Sequence, residues 1–572
     1  MAALFVYGGH FVFTFRLKSI AGYAQALIMD STLDTYSSTD KYSSTDKCSS
    51  TNKYSIGTTD YQVGQDNTQK WGFDIHNTVF GISAGLIFLL ISTLLYVDPA
   101  TAKEALTSIR NNIMAEFDVV FMWSTNFFVI FTMALIISPF GKIRIGGKEA
   151  KTDHSTLSWL TMLFAAGMGI GLLFWGVAEP TAYFTNWWGT PLNVEPFTAE
   201  AKSLALAATV YNWGIHGWAV YGVVGLALAF FSYNKGLPLS IRSVFYPIIG
   251  DRTWGWAGHL VDIMAVLATL FSLATSLGLG AQQAASGINH VFGTEGGLGL
   301  QLVVIVLVTL VAIFSVIRGI NGGVKVLSNI NMVFAFGLLA FVLVISFDVI
   351  MVTIPETFIA YADNFLTLSN PHDRGDLAWM QGWTVFYFAW WISLGPFVGM
   401  FIARISKGRT VREFLCAVIF VPTLVTLIWM ATFGGIAIDQ VINNVGELGA
   451  NGLTDISLSL FHVYDAMPYG DVLSVLSIVL VLIFFITSSD SASLVVDSIT
   501  SGGKVDAPVP QRIFWAIVQG SIAAAMLWIG GTDALQALQA GVVTTGLPFA
   551  LLMLVMCVSI MKGLNSEYHL YK

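Results

Sequence analysis

Charge is what this chain has least of. Asp, Glu, Lys and Arg make up 11% of its 572 residues, while 55% are hydrophobic. Soluble domains carry about a quarter charged residues. The deficit therefore excludes a string of soluble domains and points to a polytopic membrane protein, and the mean hydropathy of +0.71 agrees. Cysteine is scarce as well. Cys48, Cys416 and Cys557 show no metal-ligand spacing, which excludes a disulfide framework. Paired histidines for haem, a Ser/His/Asp set and a metal cluster are all missing, so no enzyme is expected. The formal net charge of −8 says little about partners in such a chain, and no nucleic-acid partner is expected.

Long apolar runs fill the space that charge leaves. Residues 1–70 read as a disordered or low-complexity extension. An apolar stretch from Ala2 to Phe15 is too short to span, and the hexads YSSTDK, YSSTDK and CSSTNK at 36–53 cannot bury a core. Residues 71–562 read as one membrane domain and 563–572 as a short tail. Twelve spans of roughly 20 residues are predicted, at 77–97, 119–140, 157–178, 204–231, 260–282, 300–317, 330–347, 383–402, 414–434, 472–489, 512–530 and 541–560. In the connection at 348–382, IPETFIAYADNF places its apolar residues on one helical face, which predicts an interfacial helix. Loops after even-numbered spans and the tail hold seventeen lysines and arginines. Loops after odd-numbered spans hold four: Lys103, Arg110, Lys202 and Arg374. That bias puts both termini on the cytoplasmic side of a cell membrane.

Four stretches carry signals beyond hydropathy. In the eighth span, GWTVFYFAWWISLGPFVGMF, Trp390 and Trp391 lie well inside the run rather than at an interface, and Gly395-Pro396 follow. Clustered indoles beside a proline-weakened helix suit a box for a ligand cation. The third span reads LFAAGMGIGLLFWGVAEP, with Gly167, Gly169 and Gly171 on no single helical face, which predicts a locally unwound segment. Interrupted helices at matching positions of two halves point to an inverted-repeat transporter with a midplane site. The fourth span adds Trp213, Trp218 and Tyr221 around His216. A packed neutral histidine is preferred there over a proton carrier. In the tenth span, hydroxyls of Thr487, Ser488 and Ser489 precede Asp490, a carboxylate within the membrane. Back-bonding to helix carbonyls explains most such hydroxyls, and coordination of a hard cation such as Na+ is the sharper alternative.

GMGIGLLFWGVAEP, GWTVFYFAWW, SLGPFVGMFIARISKGRTVREF and FFITSSDSAS resemble motifs of the betaine/carnitine/choline transporter family, in that family's order, across roughly residues 70–562. The resemblance implies an all-α polytopic protein of twelve transmembrane helices. Its LeuT-type core would be two inverted five-helix repeats, spans 3–7 and 8–12, behind two N-terminal helices. It also implies a homotrimer in membrane lipid that takes up trimethylammonium-type solutes. The family's aromatic substrate box falls on Trp213, Trp218, Tyr221, Phe386, Trp390 and Trp391, with Met168 and Gly169 beside it and Phe401 further along the path. One sodium site falls on the carbonyls of Ala165, Met168 and Phe484 with the hydroxyls of Thr487 and Ser488. A second matches at Thr269 and Phe397, but Leu273 stands where the family has another threonine. Phe388 and Leu394 also depart from the pattern, at positions that usually hold tryptophan and an aromatic residue respectively.

The expected function is sodium symport of a zwitterionic quaternary ammonium or sulfonium solute of the glycine betaine type, an osmoprotectant, with Na+ as coupling ion and no other cofactor. The nearest alternative is a proton-coupled choline or carnitine carrier. A channel or sensor should show matching polar faces along several spans, and none is seen.

Overall fold

The computed structural model describes residues 59–167, 169–318, 324–531 and 534–571, so the serine-rich hexads lie outside the described residues. A β-hairpin comes first, β1 (Asn67–Lys70) antiparallel to β2 (Phe73–His76). Its two-residue turn takes positive φ at Trp71 (53°) and Gly72 (80°), as a tight hairpin turn requires. Ordered pairing thus begins before residue 71, inside the stretch read as a leader. The reason lies elsewhere in the chain: Asn67 Nδ2 donates to Ser501 O, the Asp74 amide to Gln511 Oε1, and Lys504 pairs with Asp74.

His76 then caps α1 (Asn77–Tyr96), its Nδ1 accepting the Val79 amide. Asp98 and Pro99 start α2 (Pro99–Ile137), with both Ala100 and Thr101 amides on the Asp98 carboxylate. The core helices follow: α3 (Thr156–Gly167), α4 (Ile170–Thr185), α5 (Ala199–Trp213), α6 (Ile215–Lys235), α7 (Trp256–Phe292), α8 (Leu298–Arg318), α9 (Val324–Ile345), α10 (Phe347–Ser369), α11 (Phe386–Ile405), α12 (Val411–Asn443), α13 (Gly470–Thr500), α14 (Val509–Gly530) and α15 (Ala534–Tyr571).

Among the described residues twelve helices, the consecutive pair α5–α6 counting as one, are long and apolar enough to cross a membrane. They are not the twelve predicted. The third span is split into α3 and α4, 12 and 16 residues long, each too short to qualify. Its place in the count is taken by α10, expected as an interfacial helix. That helix has the lowest mean hydropathy of the twelve, 1.2, and carries Asp348, Glu356 and Asp363. Ile350, Thr353, Thr357, Ala360 and Tyr361 form its buried face against α5 and α12.

Helix pairing within the core is reciprocal. α11 packs on α6 as α12 packs on α4; α15 on α7 as α9 on α13; α14 on α7 as α8 on α13. The α7–α13 and α8–α14 pairs map onto themselves. Exchanging spans 3–7 for spans 8–12 interconverts these contacts. The fold is all-α and polytopic, with this two-repeat organisation at its centre.

Two backbone expectations meet different fates. The third span is interrupted ahead of Ile170, where Gly169 takes φ −135°, ψ −144°. The eighth span is not interrupted at Gly395-Pro396: α11 runs through Pro396 from Phe386 to Ile405. Proline removes only one donor, and the adjacent glycines let the helix press against α6. A Cβ on Gly399 would lie 2.6 Å from Val224 Cγ1. The irregular turn of that span comes earlier, as a π-helix at Met380–Val385. A second break, unanticipated, falls in the fourth span at Gly214 (φ −101°, ψ −132°) between α5 and α6.

Candidate functional site

The indole pair of α11 is the hub of the site. Trp391 faces Trp213, Trp218 and Tyr221, with ring centroids at 5.8, 5.7 and 4.9 Å. Trp390 lies 6.0 Å from Trp213, edge to face, and stacks on Phe386 one turn earlier at 5.6 Å and 21°. All six predicted box residues therefore join into one cluster between α5, α6 and α11. The break at Gly214 is what permits this, because it re-aims the chain between Trp213 and Trp218 so that both reach one indole. Two glycines make room: a Cβ on Gly217 would lie 2.2 Å from Trp391 Cε2, and one on Gly171 2.4 Å from Trp213 Cη2. Gly169, in contrast, has nothing within 4 Å of where its Cβ would be.

Three of the four indole N–H groups are committed to partners outside the ring cluster. Trp391 Nε1 donates to Asn212 O at 2.9 Å, Trp390 Nε1 to Ser272 O at 3.2 Å and Trp213 Nε1 to Glu179 Oε2 at 2.6 Å. A buried indole normally finds such a partner. Trp218 is fully buried, and its Nε1 has none among the described residues. No lysine or arginine lies over any of the six rings among the described residues; the cation–π pairs of the chain are elsewhere.

One face of α11 is less buried than the rest. Every residue of α11 is buried except Leu394, Phe397, Phe401 and Arg404, which are half-buried. Their spacing of three or four keeps them on one face, continuing the line of Trp390 toward the basic end of the helix. Leu394 and Phe401 thus lie on this half-buried stripe of α11.

Other predicted residues divide. Thr487 Oγ1 donates back to Ile483 O (2.9 Å) and Phe484 O (3.2 Å), the bond expected of any membrane-helix threonine. Such a hydroxyl retains its lone pairs for a cation. Phe484 is buried and Ser488 half-buried on the same helix, which packs on α4 and α11. Ala165 lies in α3, and Met168 falls outside the described residues. The Thr269 hydroxyl is buried with no hydrogen-bond partner, one turn before the Ser272 carbonyl that holds Trp390; Leu273 beside it is buried and offers no oxygen. Asp490 is buried with Oδ2 unpartnered. His216 stands outside the box, stacked between Phe365 and Phe388 at 5.1 and 5.4 Å, with Nε2 3.0 Å from Asn126 Oδ1. Phe388 therefore packs on His216 and on Tyr211 rather than on the six rings.

Comparison with known proteins assigns the family. The sequence model of the BCCT family, betaine/carnitine/choline family transporters, matches residues 78–569. The chain belongs to that family. It is 65% identical to a glycine betaine/proline/choline/ectoine transporter of Vibrio parahaemolyticus over 99% of this chain and 97% of that protein. It is also 65% identical to glycine betaine transporter 1 of the same organism, over 90% and 98% of the two chains. A glycine betaine transporter of Acinetobacter baylyi is 38% identical over 86% and 74%. This BCCT protein is accordingly a multi-pass membrane transporter and not an enzyme.

Sequence reasoning missed Glu179, Asn212 and the two glycines under the indoles. Glu179 had a signal. It is a carboxylate at the end of an apolar run, and such residues are functional candidates by default.

Proposed function

We propose that this BCCT protein imports compact solutes bearing a quaternary ammonium or sulfonium group, glycine betaine and choline among them, by symport with Na+. The observation that carries the reading is the six-ring cluster whose π faces meet no cation of the protein's own. A ligand cation among such faces gains about 0.5–2 kcal/mol per ring. The rings touch edge to face, so a trimethylammonium group enters as an indole turns aside. The names of the 65%-identical relatives support the solute class. Na+ fits the oxygen-only set of Thr487, Ser488 and the carbonyls of Ala165, Met168 and Phe484. The unpartnered Thr269 hydroxyl offers one ligand of a second site that Leu273 leaves short. A homotrimer in the cell membrane with both termini cytoplasmic completes the reading, with α10 lying in the interface and osmoprotection as the physiological use.

Glu179 favours one competing reading, proton-coupled uptake of choline or carnitine, because it gives the site a titratable group. Uptake into proteoliposomes separates the two. Imposing a Na+ gradient at equal pH should drive accumulation of glycine betaine, and Thr487→Ala should raise the sodium concentration for half-maximal uptake more than the solute KM. Accumulation driven by a pH gradient without Na+ would overturn the sodium reading.

A further inference from the structure

The carboxylate of Glu179 is fully buried on α4 and surrounded by donors. Tyr183 OH donates to Oε1 at 2.8 Å, Asn212 Nδ2 to the same oxygen at 3.1 Å and Trp213 Nε1 to Oε2 at 2.6 Å. An indole N–H and an amide NH2 can only donate. Asn212 Nδ2 also donates to the Tyr183 hydroxyl oxygen at 3.0 Å, which leaves the tyrosine proton for the carboxylate. Three donors around two oxygens is an arrangement that an ionised carboxylate accepts in full. No lysine or arginine neutralises it among the described residues, for its ion-pair partners would appear among the seven pairs found, and none involves Glu179.

The same residue controls the cage. Helix α4 grips Trp213 at both ends: Gly171 accommodates the benzo edge and Glu179 holds the pyrrole N–H. Asn212, tied to Glu179 by its side chain, holds Trp391 by its backbone carbonyl at 2.9 Å. Two of the walls are therefore set by one carboxylate. Donation of an N–H to an anion also pushes electron density into the indole, and a richer π face attracts a cation more strongly.

We propose that Glu179 is the positioning residue of the aromatic cage and its resident negative charge, and that it sets the preference between net-cationic and zwitterionic ligands. The inference rests on the cage being the solute site. A zwitterion such as glycine betaine brings its own carboxylate and arrives neutral. Choline arrives with one uncompensated positive charge, which the buried anion offsets through Trp213. Glu179 thus favours choline-like cations over solutes that carry both charges.

The test is solute binding to the purified full-length protein, read by intrinsic tryptophan fluorescence with choline, glycine betaine and proline as probes. Glu179→Gln keeps an oxygen for the Trp213 N–H and removes the charge. It should weaken choline about tenfold and glycine betaine less than threefold, moving the ratio of their Kd values. Trp213→Phe keeps a ring and removes the N–H that links it to Glu179, and it should shift the ratio the same way. The double variant should shift it no further than Glu179→Gln alone. Trp213→Phe decides the matter should Glu179→Gln fail to fold. Equal losses for choline and betaine, or an unchanged ratio, overturn the inference while the cage stands. A parent protein that binds neither quaternary amine overturns the cage reading, and this inference with it.

Discussion

Two of the aromatic clusters in this molecule differ in one respect. Beneath the hairpin, Tyr61 and Trp254 stack at 4.1 Å and 5° over the guanidinium of Arg242, 5.3 and 5.6 Å from their rings. Arg242 is fully buried, pairs with Asp262 at 3.2 Å and donates to Tyr61 OH at 2.9 Å. There the rings serve a cation that the chain supplies. Around Trp390 and Trp391 six rings converge and the chain supplies none. Aromatic clustering alone does not mark a ligand site. What supports the proposed ligand site is a set of rings in the core, at the helix breaks, over which no cation of the described residues lies.

Removing the internal cation should show the contrast most strongly. Arg242→Met leaves Asp262 buried and uncompensated, which costs roughly 3–5 kcal/mol of stability. Thermal unfolding in detergent should drop sharply, while the protein that remains folded binds solute within about twofold of the parent. Trp391→Ala should do the reverse in kind. Solute affinity falls on the order of 100-fold, roughly 2.7 kcal/mol, because the ring that contacts three others is a binding hot spot. Isothermal titration of the folded fraction checks it.

Leu394→Trp refines the cage rather than breaking it. It puts a π face on the half-buried stripe next to Trp391, and the gain for trimethylammonium ligands over ectoine should be about 1 kcal/mol. Competition binding reads the ranking, and an unchanged order would place Leu394 outside the site. The smallest effect belongs to His76, on the Arg242 side. Burial, then the charges of Arg242 and His259, hold its pKa down to about 4, with Asp66 opposing. The unfolded chain takes up a proton near pH 6.5 that the folded one refuses until about pH 4. Stability should therefore fall as pH drops through that window. His76→Asn keeps a capping acceptor and should lose about 1 kcal/mol less between pH 7 and 5, as measured by melting at the two pH values.

Much of the fold was legible because apolar runs and basic loops are one-dimensional signals. The interruption of the third span could be read from alternating glycines, which no helix face uses. The break at Gly214 could not, since one glycine in NWGIHGW is compatible with a straight helix until α6 must deliver Trp218 to Trp391. Gly395-Pro396 misled in the opposite sense: what keeps α11 straight is contact with Val224, a residue of another helix. The six box residues were found through a family pattern, and the structure brings them together. Glu179 was overlooked because its meaning depends on Asn212 and Trp213, more than thirty residues away, closing around it.

The most direct test compares glycine betaine with 3,3-dimethylbutanoate, the same shape with carbon in place of the charged nitrogen, in equilibrium binding to the purified protein. If the unclaimed π faces bind a cation, the carbon analogue should bind at least about tenfold more weakly, which a few tenths to 2 kcal/mol per ring across several rings readily supplies. Equal affinity for the two would show an apolar pocket indifferent to charge, and the cage would not be what selects the solute.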